Sequence, residues 1–225
     1  VNAGIDAVIN EGSVFTRTIT FSDGEDTGAD GWTYNVNWGD GSIIETGNIA
    51  AGASSFDISR FFADGDVNHD VSVTVTDVAG DSDTQQFRLN VNNVAPTLVL
   101  TGTDSVDEGS AYLLSFGSLV DPGTDTANAY ILDWGDGTMQ SFTVAEFAAL
   151  GGSAGHVYSD DGSYTVNLTV TDEDGSFVAG SKFVNVNNVA PTLSIAGIDD
   201  INEGSIYVLA ITATDPAGAA DPLTY

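Results

Sequence analysis

Apolar and polar residues alternate with period two along much of the chain. Tyr130, Leu132 and Trp134 alternate with Ile131 and Asp133, and Tyr164, Val166, Leu168 and Val170 with Thr165, Asn167 and Thr169. Tyr34, Val36 and Trp38, then Val71, Val73 and Val75, then Phe87, Leu89 and Val91 repeat the pattern earlier. Side chains two apart share one face of an extended chain, so each run predicts a strand with one buried face. Ala111–Phe116, Met139–Val144 and Phe177–Val186 add further strands. Asp121-Pro-Gly-Thr-Asp125, Gly135-Asp-Gly137 and Ser159-Asp-Asp-Gly162 are turns by residue type. Only Val144–Leu150 reads as helical, for about one turn. Seven or so short strands in about 95 residues, separated by Gly/Asp turns, predict an antiparallel β-sandwich.

The pattern is also periodic on a longer scale. Val91-Asn-Asn-Val-Ala-Pro-Thr-Leu98 recurs 95 residues later as Val186 to Leu193. Val1-Asn2 stands in the same register one copy earlier, and Asn10-Glu-Gly-Ser13, Asp107-Glu-Gly-Ser110 and Asn202-Glu-Gly-Ser205 follow the three joints. Trp38-Gly-Asp-Gly41 and Trp134-Gly-Asp-Gly137 lie 96 apart, and Thr74-Val-Thr-Asp77 and Thr169-Val-Thr-Asp172 lie 95 apart. A fixed period of this size marks a tandem array of modules. The expected division is 1–92, 93–187 and an incomplete copy over 188–225, which is expected to continue in the natural chain. Lys182 takes the place of Phe87 and Phe183 that of Arg88, so the last strand of the second copy is expected to be shifted or to lie at an edge.

Trp134-Gly-Asp-Gly137, then His156-x-Tyr158, then Gly162-Ser-Tyr-Thr-Val166 running into Leu168-Thr-Val-Thr-Asp172 and Gly175, resembles the polycystic kidney disease (PKD) domain. The resemblance covers both complete copies and the opening third of the last. The first copy departs from it: Arg60-Phe-Phe62 stands where His156-Val-Tyr158 stands, and His69 where Tyr164 stands. The resemblance implies tandem immunoglobulin-like sandwiches, all-β, used as extracellular spacers in secreted bacterial hydrolases or surface adhesins. It further implies that some members bind calcium at the N-terminal end of the domain. The ligands there are polar residues of the joint, a carboxylate pair after the second strand and an Asp ending the sixth.

Carried onto this chain, the implied ligands in the second copy are Asn92, Asn93, Asp121, Asp125 and Asp172. In the first copy they are Asn2, Asp23, Asp26 or Asp30, and Asp77. The last copy offers Asn187, Asn188, Asp215 and Asp221 without the sixth-strand loop. Calcium takes six to eight oxygens, which these residue types supply, although Asn and Asp are equally ordinary turn formers. Glu11, Glu108 and Glu203 are expected either to bind metal or to pin the joint by accepting backbone hydrogen bonds. Asp172-Glu-Asp-Gly175 and Asp64-Gly-Asp-Val-Asn68 lack the spacing of an EF-hand.

Composition narrows the function classes. Asp and Glu number 33 against four Lys and Arg, a net charge of −29. Such a chain repels nucleic-acid phosphates and anionic membrane surfaces and attracts cations. It holds no cysteine, so disulfides cannot stabilise it. No stretch has the length of a membrane-spanning helix. No nucleophile–base set recurs, which argues against an enzyme. Trp38 and Trp134 alternate in phase with Tyr34 and Tyr130 and belong to the core, whereas Trp32 has no counterpart and is the candidate for an exposed, ligand-stacking aromatic. His156 is expected to make a structural hydrogen bond to a loop. The primary expectation is a calcium-stiffened spacer. Its partners are neighbouring repeats, with extracellular protein or polysaccharide as further possibilities. The alternatives are a carbohydrate- or protein-binding module and a filament subunit completed by strand exchange.

Overall fold

A computed structural model describes residues 1–22 and 30–223. The described residues are all-β apart from one short helix, and the chain divides into two compact units. The first comprises Val1–Ala95 together with Asp121–Thr126, and the second Pro96–Val120 together with Ala127–Tyr225. Among the described residues no helix is long and apolar enough to cross a membrane.

In the first unit the strands are β1 (Ala7–Asn10), β2 (Ser13–Thr20), β3 (Trp32–Asn37), β4 (Glu45–Ile49), β5 (Ser55–Phe62), β6 (Val67–Thr76) and β7 (Ser82–Asn92). One sheet has the order β1-β7-β6-β3-β4, and the other pairs β2 with β5. All pairs are antiparallel except β1 with β7. The two inner faces carry the alternating apolar residues, here Val36, Val71, Val73, Leu89 and Val91 from one sheet and Phe15, Ile19, Ile58 and Phe62 from the other. Full burial of each such side chain contributes roughly 1.5–3 kcal/mol. Trp38 lies edge-on to Phe15 and Phe62, with centroids 6.3 and 6.0 Å away. Trp32 is not the exposed aromatic expected: it packs edge-on against Phe21 at 5.0 Å and sits with Ile49 and Val75 in a second apolar cluster. Removing that ring from water outweighs any advantage of leaving it as a platform.

The second unit repeats the plan with β8 (Leu100–Thr101), β9 (Ser105–Asp107), β10 (Ala111–Phe116), β11 (Ala129–Asp133), β12 (Met139–Thr143), α1 (Val144–Ala149), β13 (Ser153–Val157), β14 (Gly162–Thr171) and β15 (Ser176–Asn187). The sheets are β12-β11-β14-β15-β9, in which β9 is again parallel to β15, and β13-β10-β8. The last strand is interior, between β14 and β9, rather than at an edge. The expected shift is present: pairing slips between Leu168↔Gly180 and Thr169↔Val178, leaving Ala179 as the extra residue of a bulge. Lys182 can then face inward along its stem while its ammonium reaches Asp104 at 2.5 Å. Helix α1 replaces a plain β-hairpin arm, and its Phe147 stacks on Tyr130 at 4.0 Å.

Beyond the joint, β16 (Thr192–Gly197) and β17 (Leu209–Thr214) pair antiparallel. Ile195↔Ile211 and Ala196↔Ala210 reproduce, 95 residues on, the pairs Leu100↔Phe116 and Thr101↔Ser115.

Candidate metal centre

The Asn/Asp-Glu-Gly-Ser motif marks a corner. β1 belongs to the large sheet and β2 to the small one, so the chain changes sheets at Glu11-Gly12; it does the same at Glu108-Gly109 between β9 and β10. Backbone bonds hold both corners alike. Glu11 N–H donates to Asn92 O and Gly12 N–H to Phe62 O, while Glu108 N–H donates to Asn187 O and Gly109 N–H to Tyr158 O. Glycine is required after the Glu, because φ is +65° at Gly12 and +70° at Gly109. A Cβ there would meet the Pro122 carbonyl oxygen at 2.2 Å in the first case and Pro216 Cβ at 2.7 Å in the second.

Turning the corner carries each Glu side chain inward at the end of the sandwich, where both are 1% exposed. Glu11 Oε1 accepts the Val94 N–H at 2.6 Å, and Glu108 Oε1 accepts the Val189 N–H at 2.7 Å. Val94 and Val189 are the same residue of the repeated Asn-Asn-Val-Ala-Pro joint. Glu203, the third of the series, is exposed.

Around Glu11 the first unit assembles carboxylates from three segments. Oxygens of Glu11, Asp64 and Asp125 lie within 4.8 Å of one another, and Asp121 and Asp125 approach within the same distance. The Asp121–Thr126 loop is held by a Thr124 N–H to Ala63 O bond of 2.9 Å and by the Asp121 carboxylate accepting the Gly123 N–H at 3.1 Å. Gly65 and Gly123 press their backbones on the glutamate: added Cβ atoms would stand 2.7 Å from its Oε2 and 2.6 Å from its Cδ.

Around Glu108 the second unit brings together Asp160 and Asp161, again with oxygens within 4.8 Å of one another. Both come from the turn after β13. Tyr164 Oη donates to the carbonyls of Asp160 and Asp161, at 3.1 and 3.4 Å, and fixes that turn beneath the ring stack of Tyr158 and Tyr164. Glu108 Oε2 is buried and accepts no hydrogen bond from the described residues. Asp172, in the β14–β15 turn of this unit, accepts the Asp174 and Gly175 N–H groups on Oδ1, and its buried Oδ2 accepts none from the described residues. Asp215 accepts the Ala217 N–H, repeating the Asp121 turn, and Asn188 donates to Asp221 at 3.3 Å.

The remaining expected ligands fall as follows. Asp23 and Asp26 lie outside the described residues. Asn2 accepts the Gly4 N–H, and Asp77 caps its turn through the Gly80 and Asp81 N–H groups, as Asp172 does in the second copy. Asn92 accepts from Asn90, and Asn187 accepts from Asn185 and donates to Asp107, so both take part in side-chain ladders along the last strands. Asn93 is in the first unit, where its backbone lies against Gly65. Asp121 and Asp125 fall in the first compact unit and Asp172 in the second.

Asp64, Asp160 and Asp161 are absent from the expected ligand set. Asp64 and Asp160 each follow by two residues an aligned core aromatic, Phe62 or Tyr158, and that shared offset was the available signal. The oxygen-only donor sets suit a hard cation such as calcium, for which ligands on opposite sides at about 2.4 Å lie about 4.8 Å apart. The chain supplies no counter-cation of its own to the Glu108 group. Arg17 covers the Phe87 ring and donates to Ala3 O, Arg60 pairs with Asp40, Arg88 with Asp70 and Lys182 with Asp104.

The Trp-Gly-Asp-Gly turn is structural. His156 Nε2 and Asp136 Oδ2 are 2.7 Å apart, and the imidazole stacks on Trp134 at 4.6 Å. Arg60 stands in the same place in the first unit, pairing with Asp40 over Trp38. Burial works against ionisation of Asp136, but hydrogen bonds from Thr138 and His156 hold its carboxyl below the ordinary range. Asp40 is lowered likewise, against burial, by Ser42 and Arg60. Phe62 with His69 and Tyr158 with Tyr164 are the corresponding ring pairs, at 4.9 and 4.7 Å.

The sequence profile of the PKD domain matches residues 93–186, from Asn93 of the first joint to Val186 in β15. No curated protein matches the chain. Among solved structures, the PKD domain of an M14-like peptidase from a Thermoplasmatales archaeon is 21% identical over 42% of this chain and 97% of that one, with a TM-score of 0.32. A chain of the complex between Dpr11 IG1 and DIP-gamma IG+IG2 is 9% identical, covering 83% of this chain and 96% of that one at a TM-score of 0.32. Fibronectin-type domains of chicken CNTN1 are 11% identical, covering 81% and 69% at 0.29.

Proposed function

We propose that the chain is a run of non-catalytic spacer modules of a secreted or surface-attached bacterial protein, whose joints take up calcium and stiffen. The observation that carries this reading is the repetition of one device: a fully buried glutamate at the sheet-switching corner accepts the N–H of the same joint valine in both copies. A joint anchored by a carboxylate and bordered by further carboxylates is tied to its module more firmly than a Gly/Ser linker, and Pro96 and Pro191 restrict it further. Affinities on the order of 10⁻⁴–10⁻³ M suffice in a calcium-rich medium. The burial of Trp32 removes the feature that favoured a carbohydrate platform.

Calcium at about 100 times its dissociation constant is expected to stabilise the module that binds it by about 2.7 kcal/mol per site. Thermal melts and small-angle scattering of the chain, in calcium and in chelator, test the reading. A higher melting temperature and a longer maximum dimension in calcium are expected; indistinguishable melts and scattering curves would overturn it.

A further inference from the structure

We infer that Glu108 has two separate tasks: one carboxylate oxygen pins the joint, and the carboxylate together with Asp160 and Asp161 binds a divalent cation at the C-terminal end of the second sandwich. This deepens the spacer reading and rests on it only for the choice of calcium. The residues differ from those that the family resemblance implies, which belong to the N-terminal end of a module.

Three observations point the same way. First, Glu108 is 1% exposed, its Oε1 is occupied by the Val189 N–H, and its Oε2 is buried with no donor among the described residues. A buried carboxylate oxygen without a donor is costly unless a cation or proton meets it. Second, one oxygen from each of Glu108, Asp160 and Asp161 lies within 4.8 Å of the others, the span that ligands of one calcium ion occupy. Third, all four Lys and Arg side chains of the chain are engaged with other partners, so neutralisation of this group must come from solution. Three oxygens of one protein set leave positions for water, which is the pattern of weak, exchangeable sites. The turn that carries Asp160 and Asp161 is held by the Tyr164 hydroxyl on their backbone carbonyls and by Asp160 Oδ1 accepting the Asp161 N–H at 3.1 Å, so the ligands are preorganised. Glu11 with Asp64 and Asp125 is the corresponding arrangement in the first unit, with one carboxylate drawn from a different loop.

The test uses the whole chain and terbium, a calcium substitute whose emission is sensitised by nearby tyrosine; Tyr164 abuts the site. Terbium is titrated into the parent chain, Glu108→Gln and the double variant Asp160→Asn/Asp161→Asn, and then displaced with calcium. Gln keeps an oxygen for the Val189 N–H and loses the charge, while the double variant leaves Glu108 intact. Tyrosine-sensitised binding should weaken at least tenfold in each variant, with melting in chelator unchanged for the double variant. Equal titration curves for the parent and the double variant would overturn the site, as would absence of sensitised emission from the parent. If Glu108→Gln does not fold, the double variant alone decides. The two readings separate cleanly: scattering that ignores calcium while the titration responds to the variants defeats the stiffening and spares the site. Scattering that responds to calcium, with equal titration curves for parent and double variant, does the reverse.

Discussion

Glu108 Oε1 accepts the Val189 N–H at 2.7 Å across 81 residues of chain, and Glu11 makes the same bond to Val94 across 83. A hydrogen bond to a charged acceptor, removed so that a donor is stranded, costs about 1–3 kcal/mol. Glu108→Ala and Glu11→Ala are each expected to lose that much in denaturant unfolding, whereas Glu203→Ala, at an exposed position, should change stability by less than about 0.5 kcal/mol. Equal effects at all three would show that the corner bond is energetically idle.

The Asp136–His156 pair gives the second unit an acid-sensitive element. Hydrogen bonds from Thr138 and His156 outweigh burial and depress the Asp136 pKa in the folded state. A depressed folded pKa contributes stability that is present above the unfolded aspartate value of about 4 and is lost as pH falls through the folded one. Melting temperature should therefore drop as pH falls below about 4, and Asp136→Asn should flatten that drop while lowering stability at neutral pH. Differential scanning calorimetry across this range checks the sign.

Helix α1 begins with a complete capping box: Thr143 accepts the Glu146 N–H on its hydroxyl, and Glu146 accepts the Thr143 N–H at 2.8 Å. Thr143→Ala should cost about 1 kcal/mol, because a six-residue helix has little intrinsic stability. Phe147→Ala should cost more, about 3 kcal/mol, since its ring stacks on Tyr130 and touches Phe116 and Phe142. Chemical denaturation of the two variants gives the order.

Gly109→Ala places a Cβ at φ +70° and 2.7 Å from Pro216 Cβ. The left-handed backbone alone costs an L-residue roughly 1–2 kcal/mol. Gly218→Ala shares a positive φ but meets nothing within 4 Å, so it isolates the backbone cost from the clash. A larger loss at Gly109, read from melting curves, is the expected result.

Much of the architecture was legible because period two is a local property. Tyr130, Leu132 and Trp134, or Val71, Val73 and Val75, announce a strand with a buried face before any partner is known, and the 95-residue recurrence announces that the same set of strands is built again. The short helix was legible in Val144–Leu150, and Thr143-x-x-Glu146 at its start forms the capping box. The burial of Trp32 was not legible because it depends on Phe21, Ile49 and Val75, residues from other segments whose position no local pattern encodes. By residue type, Arg60 in place of His156 is a departure from the pattern. In space Arg60 pairs with Asp40 as His156 pairs with Asp136, each over a tryptophan, so the role survives the change of residue.

What the sequence determined by itself is therefore the set of strands, their inward faces and the repeat, since these follow from side-chain alternation and backbone preferences of neighbouring residues. What only the tertiary structure decided is which oxygens share a space. Glu108 lies some fifty residues before Asp160 and eighty before Val189, and nothing in their spacing relates them. They meet because the chain changes sheets at the Glu-Gly corner while the β13–β14 turn and the joint arrive at the same end of the sandwich. Metal ligation depends on distances of a few ångströms between separate loops, and those are set by sheet packing rather than by any local run of residues.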